Sequence, residues 1–262
     1  MTMTSNTFNN VTIHTYTAPE NGALVNTHII ETEAHVIVVD TQFILPYAQE
    51  VKAFVEGLNK PIDKIIISHG HPDHWFGTAV FEGESVYAIQ EVLDEIQETG
   101  QAAIERNKPV LGDLIPDKAL VPTLVLEEGD FSIDGVTIRV TKVADTESGF
   151  ITTLELVEEG VIITQDIVYN GVHLFVAQQQ LENWKAVLAD LNNRDWKLVL
   201  PGHGLPATQA VFKDMTDYLT LAEKTLAEVE TFREYKETVM THFPEHKGEV
   251  LIDLNEPFLG LK

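Results

Sequence analysis

The sequence predicts a layered α/β or α+β domain in which helices flank two sheets. Apolar, β-branched runs alternate with segments of helical period, twice over along the chain. Gly or acidic residues interrupt most of these runs and set the turns. Histidines and aspartates recur where the apolar runs stop. Ligand sites favour such positions, because a rigid sheet fixes where the following loop begins.

Taken in order, 11–17, 24–30 and 35–40 read as strands rich in β-branched residues. The stretch 46–58 carries Val51, Phe54, Val55 and Leu58 at helical spacing, and Pro46 suits a first helical turn. A buried strand is expected over 64–68, running directly into a histidine-rich segment. Further along, 85–89 reads as a short strand and 91–105 as a helix. A strand-rich block follows over 124–126, 131–133, 136–143, 151–157 and 161–165, with turns at Gly129, Gly135 and Gly160. The helical period returns over 181–191. A strand at 197–200 ends at Pro201-Gly202-His203-Gly204, and a long helix with one break is expected over about 209–240. The expectation is one domain over residues 1–262, with a helical C-terminal segment from about 207.

The chain holds 17 Lys+Arg against 41 Asp+Glu, a formal charge of −24. Such a surface repels phosphate backbones and anionic lipid headgroups, which argues against nucleic acid and membrane partners and for a small-molecule substrate. Cysteine is absent, so there is no disulfide, thiol nucleophile or thiolate ligand, and any metal must be held by His and carboxylate. The polar start of the chain lacks the pattern of a signal peptide, and the apolar runs are too short to cross a bilayer. A cytoplasmic location is the expectation. The oligomeric state is not legible.

His69-Gly70-His71-Pro72-Asp73-His74 is the densest chemical signal. His69 and His71 alternate in an extended segment leaving a strand, so both rings can face one ion. Pro72 turns the chain, and Asp73 and His74 can then face a second ion beside the first. Imidazole and carboxylate suit zinc, and also iron or manganese. Asp166 follows the apolar run Val161-Ile162-Ile163-Thr164-Gln165, and His203 follows Leu198-Val199-Leu200-Pro201-Gly202.

These residues resemble the metallo-β-lactamase superfamily. His69-Xaa-His71-Xaa-Asp73-His74 matches its signature, Asp166 its bridging aspartate, and His203 its last histidine. Asp40, after Val36-Ile37-Val38-Val39, matches an aspartate that supports the ligands from behind. The likeness runs from about Leu24 to Pro206. It implies an α+β fold, an αβ/βα four-layer sandwich, with a metal site along one edge. It further implies that one ion takes His69 and His71, and the other Asp73, His74 and His203, with Asp166 between them. Two such ions can share a hydroxide that attacks a carbonyl, with Asp73 orienting the nucleophile and carrying its proton. Asp40 would fix a histidine tautomer.

The family usually supplies a third histidine to the first ion. The matching stretch here, Val143-Ala144-Asp145-Thr146-Glu147-Ser148-Gly149, contains none. Asp145 stands nearest the expected position and is the expected replacement ligand; Glu147 is the less favoured alternative. One or two zinc ions are expected, with iron or manganese as alternatives. Tyr169 and His173 are candidates to bind the substrate carbonyl or donate a proton. Trp75 and Phe76 can wall a cleft or fill the core. The leading reading is a hydrolase of esters, lactones, amides or thioesters. The alternatives are a di-iron redox protein of the same fold, which fits poorly with His71 and the lack of a flavin domain, and a non-catalytic metal-binding domain.

Overall fold

In this computed structural model, residues 2–262 are described. Strands β1 (Thr2–Phe8), β2 (Val11–Thr17), β3 (Asn26–Glu31) and β4 (Val36–Val39) form an antiparallel ribbon. Helix α1 (Leu45–Gly57) then carries the chain over to β5 (Ile62–Ile66), which lies parallel to β4. The one-turn helix α2 (Pro72–Trp75) and the long helix α3 (Gln90–Leu111) flank β6 (Val86–Ala88) in the chain. With β7 (Leu124–Val125), this sheet has seven strands in sequence order.

The second sheet has the order β12-β11-β10-β9-β8, built from β8 (Gly129–Ile133), β9 (Val136–Ala144), β10 (Phe150–Leu156), β11 (Val161–Asn170) and β12 (Leu198–Gly204). Only β11 and β12 pair in parallel, as the crossover through helix α4 (Leu181–Asn192) requires. Helices α5 (Val211–Glu228), α6 (Phe232–His242) and α7 (Glu249–Asp253) complete the chain. The break between α5 and α6 falls at Thr231, where the hydroxyl accepts from Glu234 N and the Glu234 carboxylate accepts from Thr231 N.

Two apolar clusters hold these layers together. Val161, Ile163 and Leu200 join the first sheet, α1 and α3 in one core, whereas their neighbours Ile162 and Val199 join α4, α5 and α6 in the other. That alternation is the period-2 pleat of strands buried on both faces. Trp75 and Phe76 belong to the first core, at 1% exposure each, and do not wall a cleft. Trp184 and Trp196 pack in the second.

Two expectations need correction. β1 is absent from the sequence reading because Thr2–Phe8 is polar; it is an edge strand whose pairing with β2 supplies the hydrogen bonds its side chains do not advertise. Asp166 and His203 lie inside β11 and β12, not beyond their ends. The register between β11 and β12 shifts on both sides of Gln165, which adopts φ 45°. This bulge re-aims Asp166 within a continuing strand.

The sheets are stitched along one seam. Asn26 Nδ2 donates to Pro201 O (2.8 Å) and Gly204 O (2.7 Å), and His28 Nε2 lies 3.0 Å from Pro201 O. Ser68 O accepts from Thr152 N at 2.9 Å. At another junction, Asp134 in the β8–β9 turn accepts from Thr32 Oγ1 (2.6 Å), Ala34 N (2.8 Å) and His35 Nδ1 (3.0 Å). The Thr32 hydroxyl, then the Ala34 amide, hold the Asp134 carboxyl down at about 2.

Asn26→Ala strips buried carbonyls of donors and is expected to cost about 1–3 kcal/mol in a urea unfolding series. Asp134→Asn is expected to lower Tm by a few degrees at neutral pH. Because folding depresses this carboxyl, its contribution is complete above the ordinary value of 3.8 and fades as pH falls towards about 2. The Tm gap between the two proteins should therefore close across that window and stay constant above it.

Candidate metal centre

His69, His71, Asp73, His74, Glu147, Asp166 and His203 converge at this seam, at the C-terminal end of β5 and along β11 and β12. Asp40 begins the arrangement. It follows β4 with φ 61°, a left-handed conformation that Asp tolerates. Its Oδ1 accepts from Ser68 N (2.8 Å); its Oδ2 accepts from Ser68 Oγ (2.7 Å), His74 Nδ1 (2.7 Å) and Gln165 Nε2 (2.5 Å). Asp40 lies near His69 and His74 as a third ligand-like group, but these donors already occupy its oxygens. It braces the ligands.

The backbone and its neighbours dictate three tautomers. His74 donates Nδ1–H to Asp40. Ser68 Oγ gives its proton to Asp40 and so accepts Nδ1–H from His69 at 2.9 Å. His203 donates Nδ1–H to Ala23 O at 2.7 Å. In the neutral form of each ring, Nε2 carries the lone pair and faces the cluster. Those three Nε2 atoms, Asp166 Oδ1 and Glu147 Oε2 are buried and have no hydrogen-bond partner. Buried polar atoms are rarely left so, and a shared aim at one space is what a cation would satisfy.

The spacing agrees. His203 Nε2 lies 3.3 Å from Asp73 Oδ2 and from Asp166 Oδ2, and His74 Nε2 lies 3.2 Å from Asp166 Oδ1. His69 Nε2 lies 3.6 Å from Asp166 Oδ2 and 3.7 Å from Glu147 Oε2, and His71 Nδ1 lies 3.0 Å from Glu147 Oε1. Ligands bonded at about 2 Å to one ion sit roughly 3.3 Å apart around it. The residues present therefore fit a metal.

Charge points the same way. Burial pushes the Glu147 carboxyl up to about 7, despite His71. Against the burial that would raise it, His74 and His203 hold Asp166 well below the usual carboxylate range. Burial would likewise lower His71 and His203, yet Glu147 lifts the first to about 9 and Asp166 the second to about 10. The carboxylates demand positive charge in a dry place, and an ion binds by displacing protons from the imidazoles.

Asp145 does not join the cluster. It is exposed at φ 53° on the outer side of a tight bend, in which its N–H donates to Gly149 O. Glu147, two residues on, is buried and takes the position expected of the missing histidine. His173 is also displaced: its ring packs against His246 and its Nδ1 lies 3.1 Å from Tyr218 Oη, beneath α5. Tyr169 does reach the centre. Its hydroxyl donates to Asp166 Oδ2 at 2.8 Å and its ring stacks on His203, centroids 4.6 Å apart.

The sequence reading missed Ser68 and Gln165, which brace Asp40, and Phe175, whose ring meets His71 edge-on at 5.4 Å. Adjacency to His69 and Asp166 was the only available signal for the first two. Nothing local marks Phe175.

Gly202 lets β12 approach β11: a Cβ there would lie 1.7 Å from Asp166 Oδ1. Gly202→Ala is expected to displace Asp166 and at least halve the metal bound per chain by elemental analysis, with the fold intact by circular dichroism. Asp145→Ala should leave metal content at the wild-type level.

The sequence profile of the metallo-β-lactamase superfamily matches residues 21–203. "Beta-lactamase-like protein 2 homolog" of Caenorhabditis elegans is 25% identical over 199 residues, 74% of this chain. The chain spans 60% of the length of that relative. A metallo-β-lactamase from Pontibacter korlensis superposes with a TM-score of 0.65 at 16% identity, covering 84% of this chain and 99% of that one. TMB-1 superposes with a TM-score of 0.61 at 13% identity, covering 84% of this chain and 98% of that one. At such identities the two structures speak to the fold alone. The profile match takes in most of the chain, including the histidine cluster, Asp166 and His203, and on that ground the protein belongs to the metallo-β-lactamase superfamily.

Proposed function

We propose that this protein is a metal-dependent hydrolase that cleaves an ester, lactone, amide or thioester of a small molecule. One observation carries the reading: unpartnered Nε2 atoms of His69, His74 and His203, with Asp166 Oδ1 and Glu147 Oε2, are buried in two adjoining clusters that Asp166 spans. Bound divalent ions would bring the pKa of a water towards neutrality and polarise the carbonyl it attacks.

The chain's own groups supply the rest. Asp73, on the first turn of α2, is the least enclosed of the acids, at 18% side-chain exposure. In this reading its carboxylate orients the attacking water and passes the proton to the leaving atom. Tyr169 spends its proton on Asp166 and holds that carboxylate in place, so it acts as a positioning residue. Its stacked ring keeps water away from one face of His203.

Phe175 extends from His71 to Phe258 in the C-terminal segment, ring centroids 5.9 Å apart, and Phe258 is 56% exposed. An aromatic wall beside the ligands suits a substrate with an apolar part. The charge of −24 favours neutral or cationic substrates over phosphodiesters.

A panel of lactones, esters, thioesters, amides and β-lactams, assayed with metal-loaded protein, tests the reading. Turnover of at least one class is expected, with Asp73→Asn reducing kcat by about 100-fold or more while the fold is kept. Absence of turnover across the panel, with metal bound at full stoichiometry, removes it.

A further inference from the structure

We propose that Glu147 turns this centre towards a pair of oxygen-preferring divalent ions, Fe(II) or Mn(II), and away from a zinc pair. The proposal rests on the metal-centre reading above and deepens it, through a residue that stands where the family usually has an imidazole.

With Glu147 included, the ligands divide into two halves of the same composition. His69, His71 and Glu147 form one, and His74, His203 and Asp73 the other. Asp166 reaches both: its Oδ2 lies 3.6 Å from His69 Nε2, and its Oδ1 lies 3.2 Å from His74 Nε2. Each half thus offers two imidazoles, one carboxylate of its own and a share of Asp166. Two histidines with one carboxylate and further open positions is a donor set that non-haem Fe(II) shares with catalytic zinc, and the added carboxylate oxygen that Glu147 brings shifts it towards Fe(II) and Mn(II). A third imidazole in place of Glu147 would instead make one half neutral apart from Asp166, closer to the nitrogen-rich sites in which zinc is held with four ligands.

Glu147 is placed for this role by the chain around it. Asp145 N–H donates to Gly149 O and Thr146 N–H to Ser148 O, which closes a tight bend. Asn183 Nδ2 clamps the bend from α4 by donating to Ala144 O (3.0 Å) and Asp145 O (2.8 Å). The side chain that this bend turns inward is 1% exposed, and its Oε2 has no partner. Its Oε1 lies 3.0 Å from His71 Nδ1 and 3.4 Å from Tyr169 Oη. Oε2 is therefore free for an ion, with Oε1 beside it facing His71 and Tyr169; a carboxylate that also engages through its second oxygen raises the coordination number beyond four, which Fe(II) and Mn(II) accept more readily than zinc.

Raw affinity for almost any such site favours zinc over iron and manganese, so the informative quantity is the change in preference when Glu147 is replaced. Metal-free wild type, Glu147→His and Glu147→Gln are each equilibrated anaerobically with a mixture of Zn(II), Fe(II) and Mn(II). Bound metal per chain is read by elemental analysis, and the fold by circular dichroism. The ratio of iron plus manganese to zinc should be at least about 10-fold higher in wild type than in Glu147→His, the scale on which ligand surroundings move metal affinity. Glu147→Gln keeps the shape without the charge, and its ratio should fall too. Wild type loaded with Mn(II) alone should give an exchange-coupled electron paramagnetic resonance spectrum, because the matched halves adjoin.

Equal ratios in all three proteins, or an uncoupled single Mn(II) in wild type, would overturn the proposal. Equal ratios together with turnover of the substrate panel would do so while leaving the hydrolase reading standing. No uptake by any of the proteins would remove the centre itself and this inference with it.

Discussion

Everything at the centre depends on the buried carboxylate of Asp40. A carboxylate without water is costly unless donors surround it, and Asp40 is met by the Ser68 amide and hydroxyl, the His74 ring and the Gln165 amide. Those bonds fix which nitrogen of His74 carries hydrogen and, through Ser68, which nitrogen of His69 does. They also tie β11 of one sheet to the C-terminal ends of β4 and β5 in the other. The same interaction therefore sets tautomer, ring orientation and the relation of the sheets.

A seam between sheets is a demanding place for polar groups, since neither ladder serves them fully. Here the side chains complete the pairing: Asn26 and His28 satisfy the carbonyls around Pro201 and Gly204, and His203 is anchored on Ala23 O. Asp166 and His203 sit on β11 and β12, while the ligands after β5, on α2 and in the β9–β10 bend are pinned by hydrogen bonds to Asp40, Ser68 and Asn183, which is the condition for ligands to keep their spacing. Backbone strain accompanies it. Asp40 and Gln165 both take positive φ, and such conformations persist where their surroundings over-determine them.

The chemistry of the cluster follows from where its charges lie. Asp166 and Glu147 are buried close to imidazoles whose inward nitrogens have no protein partner. In a dry setting these groups favour a small cation over separated protons, because one ion satisfies several of them at once.

The sequence by itself determined the strand and helix alternation, the absence of thiol ligands, and the dense motif at 69–74, because these are local patterns of period, composition and spacing. Asp166 and His203 were legible as polar residues beside apolar runs, and through the family likeness. What the sequence could not supply was any property set by contact across the chain. A polar edge strand such as β1 looks like a tail until β2 pairs with it. Asp145 and Glu147 differ by two positions in one bend, and only the bend's hydrogen bonds turn the second inward and the first to solvent. Likewise His173 follows Asp166 closely in sequence, only four residues past Tyr169, yet packs beneath α5 with Tyr218. Side-chain direction in a turn or bulge depends on φ/ψ values and neighbours far away in sequence, so tertiary structure alone decided which acid completes the centre.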